Sequence, residues 1–250
     1  MILKRTNALS AIAALTLALA PAALAQQTPA PAAAPAQAQA PQDALTDPAM
    51  KGPEVIAFIG LKPGDQVADI VAGRFVRALS QAVGPKGKVY AYEPDEVVKL
   101  HPEVLGMLKP ATSAPNSNVV LSQHPIAKPE LPTGLDAVFI RQNYHDLHDK
   151  FMGPADVAAF NKAVFAALKP GGVYVVLDHA DVPGSGLAGT DTKHRIDIAS
   201  VKSEVEAAGF KLDGESKILA NPADDHSKGV FDPSIRGKTD QFLLKFRKPK

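Results

Sequence analysis

The sequence contains no cysteine. The protein therefore has no disulfide bonds, no thiolate ligands for a metal and no cysteine nucleophile. A lipoprotein is excluded for the same reason, because its lipid is attached to a cysteine after the apolar N-terminal run. The sequence also lacks the GxSxG motif of serine hydrolases, the GxxxxGK phosphate loop and the HExxH zinc motif.

A strong charge of either sign is also missing. The chain has 27 Lys and Arg against 26 Asp and Glu, a net charge of +1 at pH 7. Without its first 25 residues, which hold Lys4 and Arg5 and no acidic residue, it has 25 against 26, a net charge of −1. This balance does not favour nucleic acid or an anionic membrane as a partner.

The N-terminal residues have the pattern of a secretory signal peptide. Lys4 and Arg5 precede an apolar run over residues 9–20, and Ala23-Leu-Ala25 matches a cleavage site. We therefore expect an exported, periplasmic protein with residues 1–25 removed and no stable membrane insertion afterwards. An uncleaved anchor is the alternative.

Residues 26–42 contain only Gln, Thr, Pro and Ala. Such a composition cannot bury enough apolar surface to offset its ordering entropy, which predicts a disordered tether over residues 26–45. The remaining residues, 46–250, suffice for one domain.

Short runs rich in Val, Ile and Tyr alternate with amphipathic stretches along this domain. The pattern predicts strands over residues 67–71, 88–92, 118–121, 135–140, 173–177, 211–219 and 241–246. It predicts helices over residues 74–83, 97–108, 154–168 and 191–208.

This alternation predicts an α/β fold with a Rossmann-like, seven-stranded, mostly parallel sheet and helices on both faces. The last two strands follow each other without a helix, so the final strand should run antiparallel. Ligands of such sheets bind at the carboxyl ends of the strands. We therefore look for chemistry in the loops after the first, second, fourth and fifth strands.

Three stretches resemble class I S-adenosylmethionine (SAM)-dependent methyltransferases: LKPGDQVADI, VGPKGKVYAYEP and ALKPGGVYVVLD. The resemblance covers about residues 50–250. It is closer to a group of exported, predicted methyltransferases, through NYHD, HRID and the tail NPADDH…FDPSIRGKTDQFLLKF. It implies SAM as cofactor and methyl transfer to an unknown, small-molecule acceptor.

The resemblance implies donor-site roles for Asp69, Gly73, Glu93 and Asn143. Asp69 would receive the amino group of SAM, and Glu93, at the tip of the second strand, would bind both ribose hydroxyls. The first loop keeps only Gly73 where the family has several glycines, and the bulky Phe75 follows. Asp69 as a helix cap, Glu93 as a solvated residue and Gly73 as an ordinary turn glycine are the alternatives.

The segment RQNYHDLHD, residues 141–149, would face the methyl acceptor. We assign His145 as the general base, because a neutral imidazole accepts a proton near pH 7, and Asp146 as its orienting partner or as a cofactor contact. Tyr144 is assigned to the substrate. The alternative is a His–Asp pair that fixes the loop.

Further substrate residues are predicted at the end of the fifth strand and in the HRID segment: Asp178, His179, His194 and Arg195. Arg195 would clamp a carboxylate or phosphate of the substrate, or else pack on a helix.

Two other functions stay open. The single glycine of the first loop suits a non-catalytic binding protein with a degenerate donor site. The spacing of His145 and His148 suits a His/Asp metal-binding protein, although we assign no metal ligand.

Overall fold

The computed structural model describes residues 42–153 and 155–250, and the predicted signal peptide lies outside them. A seven-stranded sheet with the order β3-β2-β1-β4-β5-β7-β6 forms the centre of the domain. The strands are β1 (Gln66–Ile70), β2 (Lys88–Pro94), β3 (Val119–His124), β4 (Leu135–Arg141), β5 (Leu168–His179), β6 (Lys211–Ser216) and β7 (Gln241–Arg247).

The last strand runs against the others, as predicted. β7 lies between β5 and β6 and pairs with both in antiparallel register, with Val176 opposite Leu244. The pairs β1–β2, β1–β4, β2–β3 and β4–β5 are all parallel. The predicted mostly parallel sheet with an antiparallel last strand is therefore confirmed.

Helices cover both faces of this sheet. They are α1 (Gly52–Ile59), α2 (Val76–Val83), α3 (Asp95–Leu100), α4 (Glu103–Thr112), α5 (Val157–Ala167), α6 (Thr190–Lys193) and α7 (Ile198–Ala207). Val55 of α1 and Leu79 of α2 belong to the apolar core on one face, and Val164 of α5 and Val201 of α7 to the core on the other. Within the part of the chain that the structure describes, each helix is too short or too polar to span a bilayer.

Two predicted helices are each split in two. The helix predicted over residues 97–108 breaks at His101, which precedes Pro102 and has φ −132° and ψ 67°. A residue before proline avoids the helical region, which explains the break. The helix predicted over residues 191–208 breaks because Ile196 pairs with Ala180, and Asp197 then caps α7 through the Ala199 N–H.

The folded chain begins before the predicted end of the tether at residue 45. Asp43 and Ala44 are buried, and the Ala44 N–H donates to the carbonyl of Arg74. The Asp43 carboxylate lies 2.7 Å from the Arg77 guanidinium. Residues 42–45 therefore pack against the start of α2.

Candidate functional site

The predicted site residues gather where the strand order reverses. β1 lies between β2 and β4. The chain continues from β1 to β2 on one side, and later adds β4 on the other side. This reversal opens a crevice at the carboxyl ends of the strands, which is the usual ligand site of such sheets. Asp69 lies at the end of β1, and Glu93 lies near the end of β2.

Glu93 is a buried carboxylate without a protein partner. Its exposed fraction is 0%, and neither carboxylate oxygen has a hydrogen-bond partner among the described residues. Burial and the charge of Asp69 raise its pKa to about 8, against the opposing effect of the nearby Ala72 N–H, which donates to the Tyr92 carbonyl. A solvated turn residue is therefore excluded, and the orphaned oxygens are what a pair of ligand hydroxyls would satisfy.

Asp69 is nearly as buried, at 2% exposed. Burial raises its pKa to about 7, against the opposing effect of the Gly73 N–H, which donates to its carboxylate over 3.4 Å. α2 begins at Val76 behind Phe75, so Asp69 does not serve as its N-cap. Asp69 and Glu93 are thus two buried carboxyl groups that lie close enough for the charge of one to raise the pKa of the other.

The loop between β1 and α2 departs from the expected glycine geometry. The left-handed backbone belongs to Val71, with φ 50°, while Gly73 has no such φ. Positive φ is strongly unfavourable for a β-branched residue and often marks a functional site. A Cβ added at Gly73 would meet no described atom within 4 Å, so protein packing does not require glycine there.

A cavity of about 150 Å³ lies next to Asp69. Its lining residues are Asp69, Val71, Gly73, Arg74, Phe75, Arg141 and Asn143. The Phe75 ring is 1% exposed and packs edge-on against Phe139, with 5.2 Å between ring centroids. Phe75 therefore forms one wall of the cavity.

Two arginines connect this cavity to a larger one. Arg74 and Arg141 also line an adjoining cavity of about 300 Å³, which His179 and Thr239 line as well. Burial and the nearby Arg74 lower the pKa of Arg141 to about 10, so both guanidinium groups are positive at pH 7. The boundary between the cavities therefore attracts anionic groups.

A dense polar cluster follows β4. His145 is 2% exposed, and its Nδ1 lies 2.8 Å from Asp178 Oδ1. Its Nε2 lies 3.2 Å from Asp146 Oδ1 and 3.4 Å from His194 Nδ1. Asn143 Nδ2 donates to Asp146 Oδ2 over 2.7 Å, which joins this cluster to the cavity beside Asp69.

The charge of His145 differs from the expectation. Burial alone would lower its pKa, but Asp178 and Asp146 outweigh burial and raise the pKa to about 10. Burial likewise opposes ionisation of Asp146, yet hydrogen bonds from His145 and His194 hold its pKa below the usual range. In the protein without ligands, the His145 side chain is therefore protonated at pH 7, whereas the sequence predicted a neutral base.

His179 and His194 differ in environment. His179 is buried, which lowers its pKa to about 4, and its Nδ1 lies 2.8 Å from the Thr239 hydroxyl. His194 ends α6 in the left-handed conformation, with φ 53°, and its side chain is 32% exposed. Of the two, His194 joins the cluster around His145, and His179 lines the larger cavity.

Tyr144 has its partners in the protein interior. Its side chain is completely buried, and its hydroxyl contacts Glu204 at 2.9 Å and Asn161 at 2.8 Å. The Tyr144 ring belongs to the apolar core beneath the loop, so it does not take the substrate-facing position that the sequence predicted.

Arg195 likewise faces the interior. Its exposed fraction is 0%, and it donates to the carbonyls of Lys228 and Ala180 and to the carboxylate of Asp224. The protein thus supplies the carboxylate that the sequence suggested would come from a substrate.

Sequence reasoning missed Arg141 and Asp149 as site residues. Arg141 could have been found as the last residue of the fourth strand, where side chains reach the crevice. Asp149 is 4% exposed, and neither of its oxygens has a hydrogen-bond partner among the described residues. No sequence signal distinguishes it from an exposed aspartate.

Comparison with known proteins establishes the fold. A SAM-dependent methyltransferase from Aquifex aeolicus superposes with a TM-score of 0.56 at 22% identity, over 81% of this chain and 94% of that one. One from Mesorhizobium loti has a TM-score of 0.54 at 15% identity, over 78% and 96%. A possible exported protein from Bordetella parapertussis has a TM-score of 0.51 at 18% identity, over 80% and 67%.

No protein-family model matches the chain, and no curated protein matches its sequence. The class that the similarities define is the fold of class I SAM-dependent methyltransferases. The sheet order and the antiparallel β7 fit this fold.

Proposed function

We propose that the protein is an exported SAM-dependent methyltransferase that acts on a small-molecule acceptor. The observation that carries the proposal is Glu93: a fully buried carboxylate with two orphaned oxygens at the ligand-binding edge of a methyltransferase fold. An unpartnered buried carboxyl group is unfavourable unless a ligand satisfies it. A ribose diol offers two hydroxyl donors to one carboxylate.

The neighbouring groups complement the rest of SAM. Asp69 offers a carboxylate to the amino group of the methionine part, and Gly73 leaves free space beside it. Arg141 and Arg74 provide positive charge for the methionine carboxylate. The charge pattern of the crevice therefore suits a zwitterion with a diol.

Opening of the first loop is part of this proposal. The cavity of about 150 Å³ beside Asp69 is smaller than the roughly 300–1,000 Å³ typical of ligand pockets. Arg74 at its boundary is held by two surface contacts, an ion pair with Asp47 at 3.2 Å and a hydrogen bond from its Nε to the Gln42 carbonyl at 2.8 Å. Exposed ion pairs contribute only about 0–1 kcal/mol. A rotation of the Arg74 side chain would therefore join the two cavities while its guanidinium stays beside the methionine carboxylate.

His145 and Asp146 occupy the acceptor side in this proposal, next to the cofactor-facing Asn143. SAM brings its own leaving group, so these residues mainly position the acceptor and exclude water. Asp178, His179 and His194 complete that side, through their contacts with His145 or the larger cavity.

A non-catalytic protein with a closed donor site is the second candidate. The small cavity and the bulky Phe75 in its wall favour it. The two candidates differ in one property, which is affinity for the cofactor or its product.

Isothermal titration of the protein with S-adenosylhomocysteine tests the proposal. We expect one site per chain, weakened by about 2 kcal/mol or roughly 30-fold in Glu93→Gln, because one buried ribose hydroxyl would lose its acceptor. Glu206→Gln, at an exposed glutamate of α7, should bind like the wild type. Absence of binding at millimolar ligand would reject the methyltransferase and favour the second candidate.

Export is proposed from the signal-peptide pattern of residues 1–25, and the fold similarity to a possible exported protein agrees with it. N-terminal sequencing of the protein from a periplasmic extract should begin at Gln26. Full-length protein confined to the cytosolic fraction would contradict export.

A further inference from the structure

Three side chains on the acceptor side have the composition of a transition-metal site. His145 Nε2, Asp146 Oδ1 and His194 Nδ1 all lie within 4.8 Å of one another. The three separations are 3.2 Å between His145 and Asp146, 3.4 Å between the two histidines, and 3.8 Å between His194 and Asp146.

These separations match the size of a metal ion. The circle through three atoms with these separations has a radius of about 2.0 Å, the length of Zn–N and Zn–O bonds. An ion near its centre would therefore lie at bonding distance from all three atoms. Two imidazoles and one carboxylate are ligands that zinc and related divalent ions prefer.

The surrounding contacts also resemble those of a metal centre. The Nδ1 of His145 lies 2.8 Å from Asp178, so Nε2 can take the ion once it releases its proton to solvent. Asn143 holds the second carboxylate oxygen of Asp146 at 2.7 Å. Metal-ligating histidines usually bond a carboxylate through their other ring nitrogen, because this fixes the ring and the tautomer.

The backbone of His194 is also unusual. His194 keeps a left-handed backbone, which is unfavourable for a residue other than glycine, while its ring stays within 3.4 Å of His145. The sequence suggested His145 and His148 as a metal-binding pair. His148 contacts Glu204, so His194 takes its place beside His145.

We propose that His145, Asp146 and His194 bind one divalent transition-metal ion of the zinc class. Three protein ligands leave open positions on the ion, as in catalytic rather than structural zinc sites. These positions take water or an oxygen atom of a ligand. The three ligands do not include the donor residues Asp69 and Glu93, so metal binding can be measured without the cofactor.

Titration with Co²⁺ and Zn²⁺ tests this proposal on tag-free protein treated first with a chelator. Co²⁺ should bind at one equivalent per chain and give visible absorption bands of a low-coordinate nitrogen and oxygen site, and Zn²⁺ should displace it. His194→Ala and Asp146→Asn should abolish the bands. Asp178→Asn should weaken binding by about 10–100-fold, as for other outer-shell partners.

His101→Ala is the matched control, because His101 also lies beside a carboxylate, 3.2 Å from Glu103, but is exposed. It should retain wild-type metal affinity. His194 is partly exposed, so its variant should fold, which circular dichroism of the metal-free proteins checks. Absence of stoichiometric Co²⁺ and Zn²⁺ binding, or equal loss in His101→Ala, would overturn the proposal.

The two proposals can fail separately. S-adenosylhomocysteine binding by the chelator-treated protein reports on Glu93 alone, and Co²⁺ absorption without that ligand reports on the histidine site alone. A protein that binds S-adenosylhomocysteine but neither ion at one equivalent contradicts the metal site only.

Discussion

Replacing Glu93 by glutamine should change how the stability of the protein depends on pH. Below pH 4.5 the Glu93 carboxyl is protonated in both the folded and the unfolded chain. Between pH 4.5 and about 8 it ionises only in the unfolded chain, so the folded state holds more protons and stability falls as pH rises. Above about pH 8 the full loss is present.

The magnitude follows from the raised pKa. A change from 4.5 to about 8 at about 1.36 kcal/mol per pKa unit corresponds to roughly 5 kcal/mol at high pH. Between pH 5 and pH 8 the loss of unfolding free energy from this group is about 3 to 4 kcal/mol. Glutamine does not ionise. Between pH 5 and pH 8, the loss of unfolding free energy should therefore be about 3 to 4 kcal/mol smaller in Glu93→Gln than in the wild type.

Urea denaturation at pH 5 and pH 8 measures the effect in the wild type, in Glu93→Gln and in the control Glu206→Gln. We expect the control to follow the wild type, because Glu206 is exposed. If the wild type and Glu93→Gln lose the same free energy between the two pH values, the carboxylate is not buried without a partner. The reasoning about the donor site would then be wrong.

Three other substitutions separate ligand contacts from structural contacts. Gly73→Ala should leave the unfolding temperature nearly unchanged, because the added Cβ meets open space. The same substitution should weaken the binding of S-adenosylhomocysteine in a titration. Marked destabilisation would contradict this prediction. Tyr144→Phe should lose about 1–3 kcal/mol in urea denaturation, because buried Asn161 and partly exposed Glu204 both lose the hydroxyl that they contact. Arg195→Met should lose about 3–5 kcal/mol by the same measurement, because buried Asp224 loses its cation; unchanged stability would argue for a substrate role.

Local sequence patterns predicted the sheet and most helices, because apolar strands alternate with amphipathic segments. The first helix, α1, was not predicted, because it begins with Gly52-Pro53, a pair that is typical of turns. The break before Pro102 has a local cause and could have been foreseen. The break before Asp197 has a tertiary cause, because Ile196 pairs with Ala180, and no local pattern shows it.

The sequence predicted those site residues that lie at the ends of strands. The positions of Asp69 and Glu93 follow from their strands, but the burial of Glu93 does not. The contact between His145 and His194 spans 49 residues and depends on how two loops meet. The interior position of Arg195 depends on Asp224, 29 residues later, so its role could not be read from its own segment.

The central claim is that Glu93 binds the ribose of a SAM-type ligand. A crystal structure of the protein with S-adenosylhomocysteine tests it most directly. We predict both ribose hydroxyls within hydrogen-bond distance of the two Glu93 oxygens, with the Val71–Gly73 loop and Arg74 displaced to admit the ligand. A ligand bound elsewhere, with Glu93 still buried and unpartnered, would contradict the account.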